Sequence, residues 1–193
     1  MKRKLFISAL GILLLSAAVY FWQSRPSRPS QQDVIHNVFG GQNNYEVVIT
    51  STNVTAQLLH ERREIEFDVN TNNHGKLNGY LIDPPVAVTS EQAGQIRQLL
   101  QSPSSFEFLF LSGAAKACIP VYGVLFNFHS DQETVRVALC FNCNILAVFT
   151  GEDVNSEGVG GEDFDPSHGK FVAIAKSIFP NDSEIQSLKE QKR

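Results

Sequence analysis

The stretches VYGVLFNF (residues 121–128) and VRVALCFNCNILAVF (residues 135–149) limit the fold most tightly. In the first, Tyr122, Val124, Phe126 and Phe128 fall at every second position. In the second, Val135, Val137, Leu139, Phe141, Cys143, Ile145, Ala147 and Phe149 do the same. A period of two turns one face of a strand toward a core, and no helix has that period. The intervening SDQE is turn-forming, so the two runs predict an antiparallel hairpin. Matching the apolar faces pairs Phe128 with Val135, Phe126 with Val137, Val124 with Leu139 and Tyr122 with Phe141.

The alternation of the second run passes straight through Cys140 and Cys143, a C-x-x-C. In a regular strand these two point to opposite faces about 10 Å apart, at roughly 3.3 Å per residue. Fifteen residues nevertheless exceed the usual strand length of roughly 3–10. Asn142 and Asn144 mark the place for a bulge or turn, because Asn tolerates the left-handed backbone region. A turn there brings the two Cα atoms within about 7 Å. Extending the hairpin register upstream places Cys118 on the face of Cys143, near it or diagonal to it, and leaves Cys140 on the other face. Pro120 weakens that extension because it has no ladder donor.

The compartment governs how thiols are read. Residues 1–30 carry Lys2, Arg3, Lys4, Arg25 and Arg28 and no acid. Three of these cations precede an uncharged stretch from Leu5 to Trp22, about the length a helix needs to cross a bilayer. The expectation is a single-pass anchor over residues 1–22 with its N-terminus in the cytoplasm and a membrane as its partner. The alternative is a signal peptide cut near Ser16-Ala17-Ala18, which gives a secreted or periplasmic product. A Ser/Pro linker spans 23–32, and one extracytoplasmic domain spans 33–193. That domain would face an oxidising medium.

Three chemistries remain open for the cysteines. The first is a structural disulfide, Cys118–Cys143 preferred, with the third thiol free. The second is a structural zinc site using Cys118, Cys140, Cys143 and either His129 or His168; three thiolates and one imidazole form a known ligand set, but a second paired motif is missing. The third is a redox-active Cys140/Cys143 pair, which here lacks the helix N-terminus that ordinarily activates such a thiol. Three reduced core thiols are a fourth outcome. An odd number of cysteines leaves one unpaired unless a metal or a second chain takes it.

Around the hairpin, NYEVVIT (44–50) and EIEFDV (64–69) read as strands, and DVNTNNHGKLNG (68–79) as a loop. The paired prolines of YLIDPPVAV keep it extended. TSEQAGQIRQLLQSP predicts a mid-chain helix: Thr89 and Gln92 make a capping box, Ala93, Ile96, Leu99 and Leu100 share a face, and Pro103 stops it. FEFLFL (106–111) is strand-like. A helix ending before Pro180 and a last polar helix close the chain. The expected fold is α+β: a mainly antiparallel sheet with one mid-chain helix and two C-terminal helices packed on one face.

With five cations in residues 1–30 and a net charge of −4, the remainder carries −4 − 5 = −9. A body that acidic repels phosphate backbones, so nucleic acid is excluded as a partner. The run TGEDVNSEGVGGEDFDPSHG (150–169) reads as a long acidic loop. Asp153, Asn155 and Glu157 have the spacing of half an EF-hand, but Phe164 stands where the closing Glu belongs. Loose calcium binding, drawing also on Glu162 and Asp163, is the alternative to a solvated loop. Five scattered histidines, the glycines at 158, 160 and 161, and the pair Glu64/Glu66 match no catalytic motif. Nothing here points to an enzyme. Cofactors are not expected, zinc excepted.

Four strings lie together in the second half: Cys118-Ile119-Pro120, LCFNC around Cys140 and Cys143, FDP at 164–166 and IFPND from Ile178. In these the chain, from about Tyr80 to Leu188, resembles a group of exported or membrane-anchored bacterial proteins to which no activity is assigned. The resemblance implies a bacterial envelope setting and three cysteines that belong together.

Overall fold

The computed structural model describes residues 29–61, 75–77, 80–108, 116–150 and 158–190. The strand expected over 64–69, the anchor or signal segment, and the Asp153, Asn155 and Glu157 calcium set lie outside them. Among the described residues no helix is long and apolar enough to cross a membrane.

The architecture is α+β and antiparallel throughout. The strands are β1 (Asn53–Glu61), β2 (Gly75–Leu77), β3 (Tyr80–Ile82), β4 (Val86–Ala87), β5 (Val124–His129), β6 (Thr134–Cys140), β7 (Ile145–Thr150) and β8 (Gly160–Asp163). Seven run in the order β2-β3-β1-β5-β6-β7-β8, and β4 pairs with β1 beside β3. The β5–β6 hairpin pairs Phe128 with Val135, Phe126 with Val137 and Val124 with Leu139. This is the register the alternation predicts, and it holds because a one-residue slip would turn every one of these side chains to the other face.

The alternation does not continue unbroken past Cys140. Residues 141–144 form a turn, and Asn144 adopts φ 57°. The turn holds an even number of residues between the paired Cys140 and Ile145, so the apolar phase changes. Leu146 and Val148, rather than Ile145 and Ala147, join Val135, Val137 and Leu139 on the main core face. The expected long acidic loop is also shorter than its composition suggests. Gly160–Asp163 pairs with β7 as β8.

Helices cover one face of the sheet. The mid-chain helix α3 (Ser90–Gln101) starts at Thr89, whose hydroxyl accepts from Gln92 N–H while the Gln92 side chain accepts from Thr89 N–H. Such a cap contributes roughly 1 kcal/mol. Its Ala93, Ile96, Leu99 and Leu100 are buried against the sheet. The C-terminal helices α4 (His168–Ile178) and α5 (Ser183–Ser187) bring Phe171, Val172, Ala175 and Ile185 to the same core. A smaller apolar cluster on the opposite face joins Leu59, Ile82, Leu125, Ala138 and Phe149, with Tyr80 and Tyr122 against it.

The N-terminal part departs from expectation. Ser30 caps α1 (Gln31–Asp33), inside the stretch read as linker, and the chain continues in π-helical turns over Val34–Val38. NYEVVIT is not a strand but most of α2 (Gln42–Thr50). Its β-branched residues favour a strand locally, but burial of Val47 and Val48 on the sheet outweighs propensity. Arg97 of α3 then satisfies orphan carbonyls at the α2 end, donating to Val48 O at 3.1 Å and to Ser51 O. Two glycines allow this corner to close. A Cβ on Gly40 (φ 68°) would lie 2.1 Å from Val159 O, and one on Gly160 would lie 2.4 Å from Val38 O.

Candidate functional site

The cysteines gather where three pieces of chain meet: the irregular segment 116–123, the β6–β7 turn, and the end of β8. Cys118 and Cys143 form a disulfide across 25 residues of sequence, with Cα atoms 6.0 Å apart. Cys118 is exposed and Cys143 is buried. Cys140 remains a free thiol, fully buried. Its sulfur accepts a hydrogen bond from Cys143 N–H at 3.4 Å, so the C-x-x-C closes the turn without bonding to itself.

Segment 116–123 has no ladder of its own before Gly123, and side chains hold it in place. Lys116 Nζ donates to Cys143 O at 2.8 Å and pairs with Asp163 Oδ2 at 2.6 Å and Asp165 Oδ1 at 3.0 Å. Tyr80 pins the other end: its hydroxyl donates to Pro120 O at 3.4 Å and accepts from Tyr122 N–H at 3.1 Å. The disulfide lies between these two anchors.

The carboxylates beneath Lys116 are themselves organised. Asp163 is almost fully buried and accepts from Asp165 N–H at 2.8 Å. Asn144 donates its side-chain amide to Asp165, and Phe164 N–H donates to Asn144 O at 2.7 Å. Burial pushes the Asp163 carboxyl above its ordinary value, and the bonds from Lys116 and Asp165 only partly offset this. For Lys116, burial pulls the ammonium down, but the bonds and charges of Asp163 and Asp165 outweigh it and leave the group raised. The turn also packs into a ring cluster. Phe141 meets Phe164 edge-on at 6.0 Å, and His168 stacks on Phe164 at 6.2 Å.

The zinc set is not brought together. Two of its three sulfurs are joined to each other and cannot act as thiolates. His129, at the far end of β5, is 3.2 Å from Thr55 Oγ1 and 3.1 Å from Thr134 Oγ1. His168 Nε2 is committed as donor to Lys189 O at 3.0 Å. The disulfide likewise takes Cys143 away from the alternative redox pair with Cys140. Among the described residues, the only group of three or more metal-ligating side chains with ligand atoms within 4.8 Å of one another is Glu107, Asp163 and Asp165. Lys116 already supplies the cation there. Glu162 and Asp163, the described part of the calcium alternative, are buried in β8.

Sequence reasoning missed Lys116, Asp165, Asn144 and Tyr80 as parts of this site. A signal existed in Asp163-Phe164-Asp165, two carboxylates two residues apart, and in a lysine two residues before Cys118. Linking them required knowing that β8 lies beside the turn.

Two grooves of about 620 Å³ each flank the site. One runs between α3 and α4 over Gln95, Gln98, Ser104 and Lys170. The other is lined by Glu61, Val121, Tyr122, Phe141, Asn142 and Glu184. Comparison with family models, with curated proteins and with solved structures finds no match to this chain.

Proposed function

We propose that this chain is a bacterial envelope protein, held by its N-terminal apolar segment on the outer side of the cytoplasmic membrane. There its α+β domain serves as a non-enzymatic binding or structural module. The Cys118–Cys143 disulfide carries the reading. Such bonds persist in oxidising compartments and are rare in reducing ones. An N-terminus of three cations followed by 18 uncharged residues, Leu5 to Trp22, supplies a route to such a compartment. Both carboxylates near the disulfide are ion-paired with Lys116 within the fold, which suits a structural part better than proton transfer. The disulfide, Lys116 and Tyr80 together fix segment 116–123, which presents Ile119 at 88% exposure beside the Tyr122 groove.

The test is expression of the full chain in a bacterial host, followed by membrane fractionation and protease treatment of spheroplasts. Thiols are alkylated before and after unfolding, without reductant. The expected result is a membrane-associated domain open to external protease, with one disulfide and one alkylatable thiol per chain. A protease-shielded domain with three free thiols would overturn the proposal.

A further inference from the structure

We propose that Cys118 is a conditional thiol, released when Cys140 displaces it from Cys143. This rests on the Cys118–Cys143 staple described above. Three observations carry it. First, the Cys140 sulfur lies 3.4 Å from the backbone nitrogen of Cys143, the residue whose sulfur the exchange attacks. Second, Cys143 sits inside the four-residue turn 141–144 that follows Cys140, and a chain reversal of this kind brings residues three apart to within about 7 Å in Cα spacing, close to the range a disulfide accepts. Third, the two outer cysteines are in opposite environments: Cys140 is fully buried, whereas Cys118 is an exposed residue next to Ile119.

The exchange balances internally. The Cys140 proton passes to hydroxide from solvent, and the thiolate electron pair forms a bond to Cys143 Sγ. The Cys118–Cys143 bond breaks, its pair leaves on Cys118 Sγ, and Cys118 takes up a proton. One disulfide and one thiol exist before and after, so no oxidant or reductant is consumed. Lys116 still holds Cys143 O and Tyr80 still holds Pro120, so the turn stays in place while the covalent tie to segment 116–123 is lost. The new thiol stands at the surface, open to soft electrophiles and to disulfide-bearing molecules. The third cysteine then has a role: it decides whether the exposed sulfur is bonded or reactive.

The experiment uses the full chain, purified without reductant, exposed at about pH 8 to iodoacetamide for increasing times and quenched in acid. A non-reducing digest is then read by mass spectrometry. The expected result is label accumulating on Cys118, matched by a growing peptide pair linked through Cys140–Cys143. In Cys140→Ser, and in Cys140→Ala should the serine disturb the core, labelling of Cys118 should fall at least tenfold. In Cys118→Ser oxidised with glutathione disulfide, Cys140 and Cys143 should be linked and leave no free thiol. Label confined to Cys140 with Cys118–Cys143 intact would overturn the exchange and leave the structural staple standing. So would wild-type labelling of Cys118 in the Cys140 variants, or two free thiols in the oxidised Cys118→Ser protein. Three labelled cysteines in the untreated chain would remove the staple itself.

Discussion

Lys116 Nζ and Asp163 Oδ2 lie 2.6 Å apart, with the aspartate side chain almost fully buried and the lysine side chain about one-quarter exposed. Removing one partner of such a pair leaves an uncompensated charge in a poorly solvated place. Breaking a fully buried pair costs roughly 3–5 kcal/mol, and the partial exposure of Lys116 lowers that. Lys116→Met should therefore cost about 2–3 kcal/mol in urea unfolding. Lys116→Met combined with Asp163→Asn should recover much of the loss. A double variant as unstable as the two single variants summed would show that the two residues do not interact.

Tyr122 provides a pH signature. Burial, then the charges of Tyr80 and Cys140, push its phenol up to about 12 from an ordinary 10. The folded state thus holds a proton that the unfolded state releases earlier. The Tyr122 contribution to stability is constant below pH 10 and is lost as pH rises from 10 through 12. Ultraviolet titration of the native protein should show one phenol ionising near pH 12. That step should be absent from Tyr122→Phe, and its persistence there would assign it to another tyrosine.

Gly160 tests the close contact of β8 with the N-terminal helical segment. An added Cβ would meet Val38 O at 2.4 Å, backbone against backbone, with no flexible side chain to yield. Gly160→Ala should destabilise the domain by about 1–3 kcal/mol. Gly94→Ala, on α3 with nothing within 4 Å, should be neutral or stabilising by a few tenths of a kcal/mol up to about 1. Thermal unfolding of the two variants side by side makes the comparison.

The disulfide closes a loop of about 26 residues, worth roughly 3 kcal/mol in the chain-entropy view. Cys143→Ala, which also removes the acceptor for exchange, should lower the unfolding free energy by about 2–4 kcal/mol. Reduction of the wild type with a small thiol should lower it by a similar amount. A loss below 1 kcal/mol in both would mean that Lys116 and Tyr80 fix segment 116–123 on their own.

The parts of this molecule that were legible in its sequence are those where local pattern and tertiary burial agree. Phe126, Val137 and their neighbours alternate because one sheet face is covered, and the register follows from that alone. Thr89 and Gln92 announce a helix because their bonds are local. Val47 and Val48 mislead because a helix of nine residues can override propensity once its buried face has somewhere to pack. An extended hairpin register predicts the pairing of Cys118 with Cys143, but the bond forms by another route: the register ends at Val124–Leu139, Cys143 lies in the 141–144 turn, and Cys118 reaches it from the irregular segment 116–123. Lys116 and Asp163 are separated by 47 positions and meet only because β8 returns beside β7, so no spacing rule joins them.

The four-residue turn at 141–144 has an arithmetic consequence. Cys140 pairs with Ile145 across it, and that parity assigns Leu146 and Val148 to the core. Adding or deleting one residue there would exchange the faces of β7, expelling both side chains and drawing Ile145 and Ala147 inward. Adding two would preserve them. Length variation in this turn is therefore tolerated only in steps of two, and it can be scored in any set of aligned relatives without a further structure.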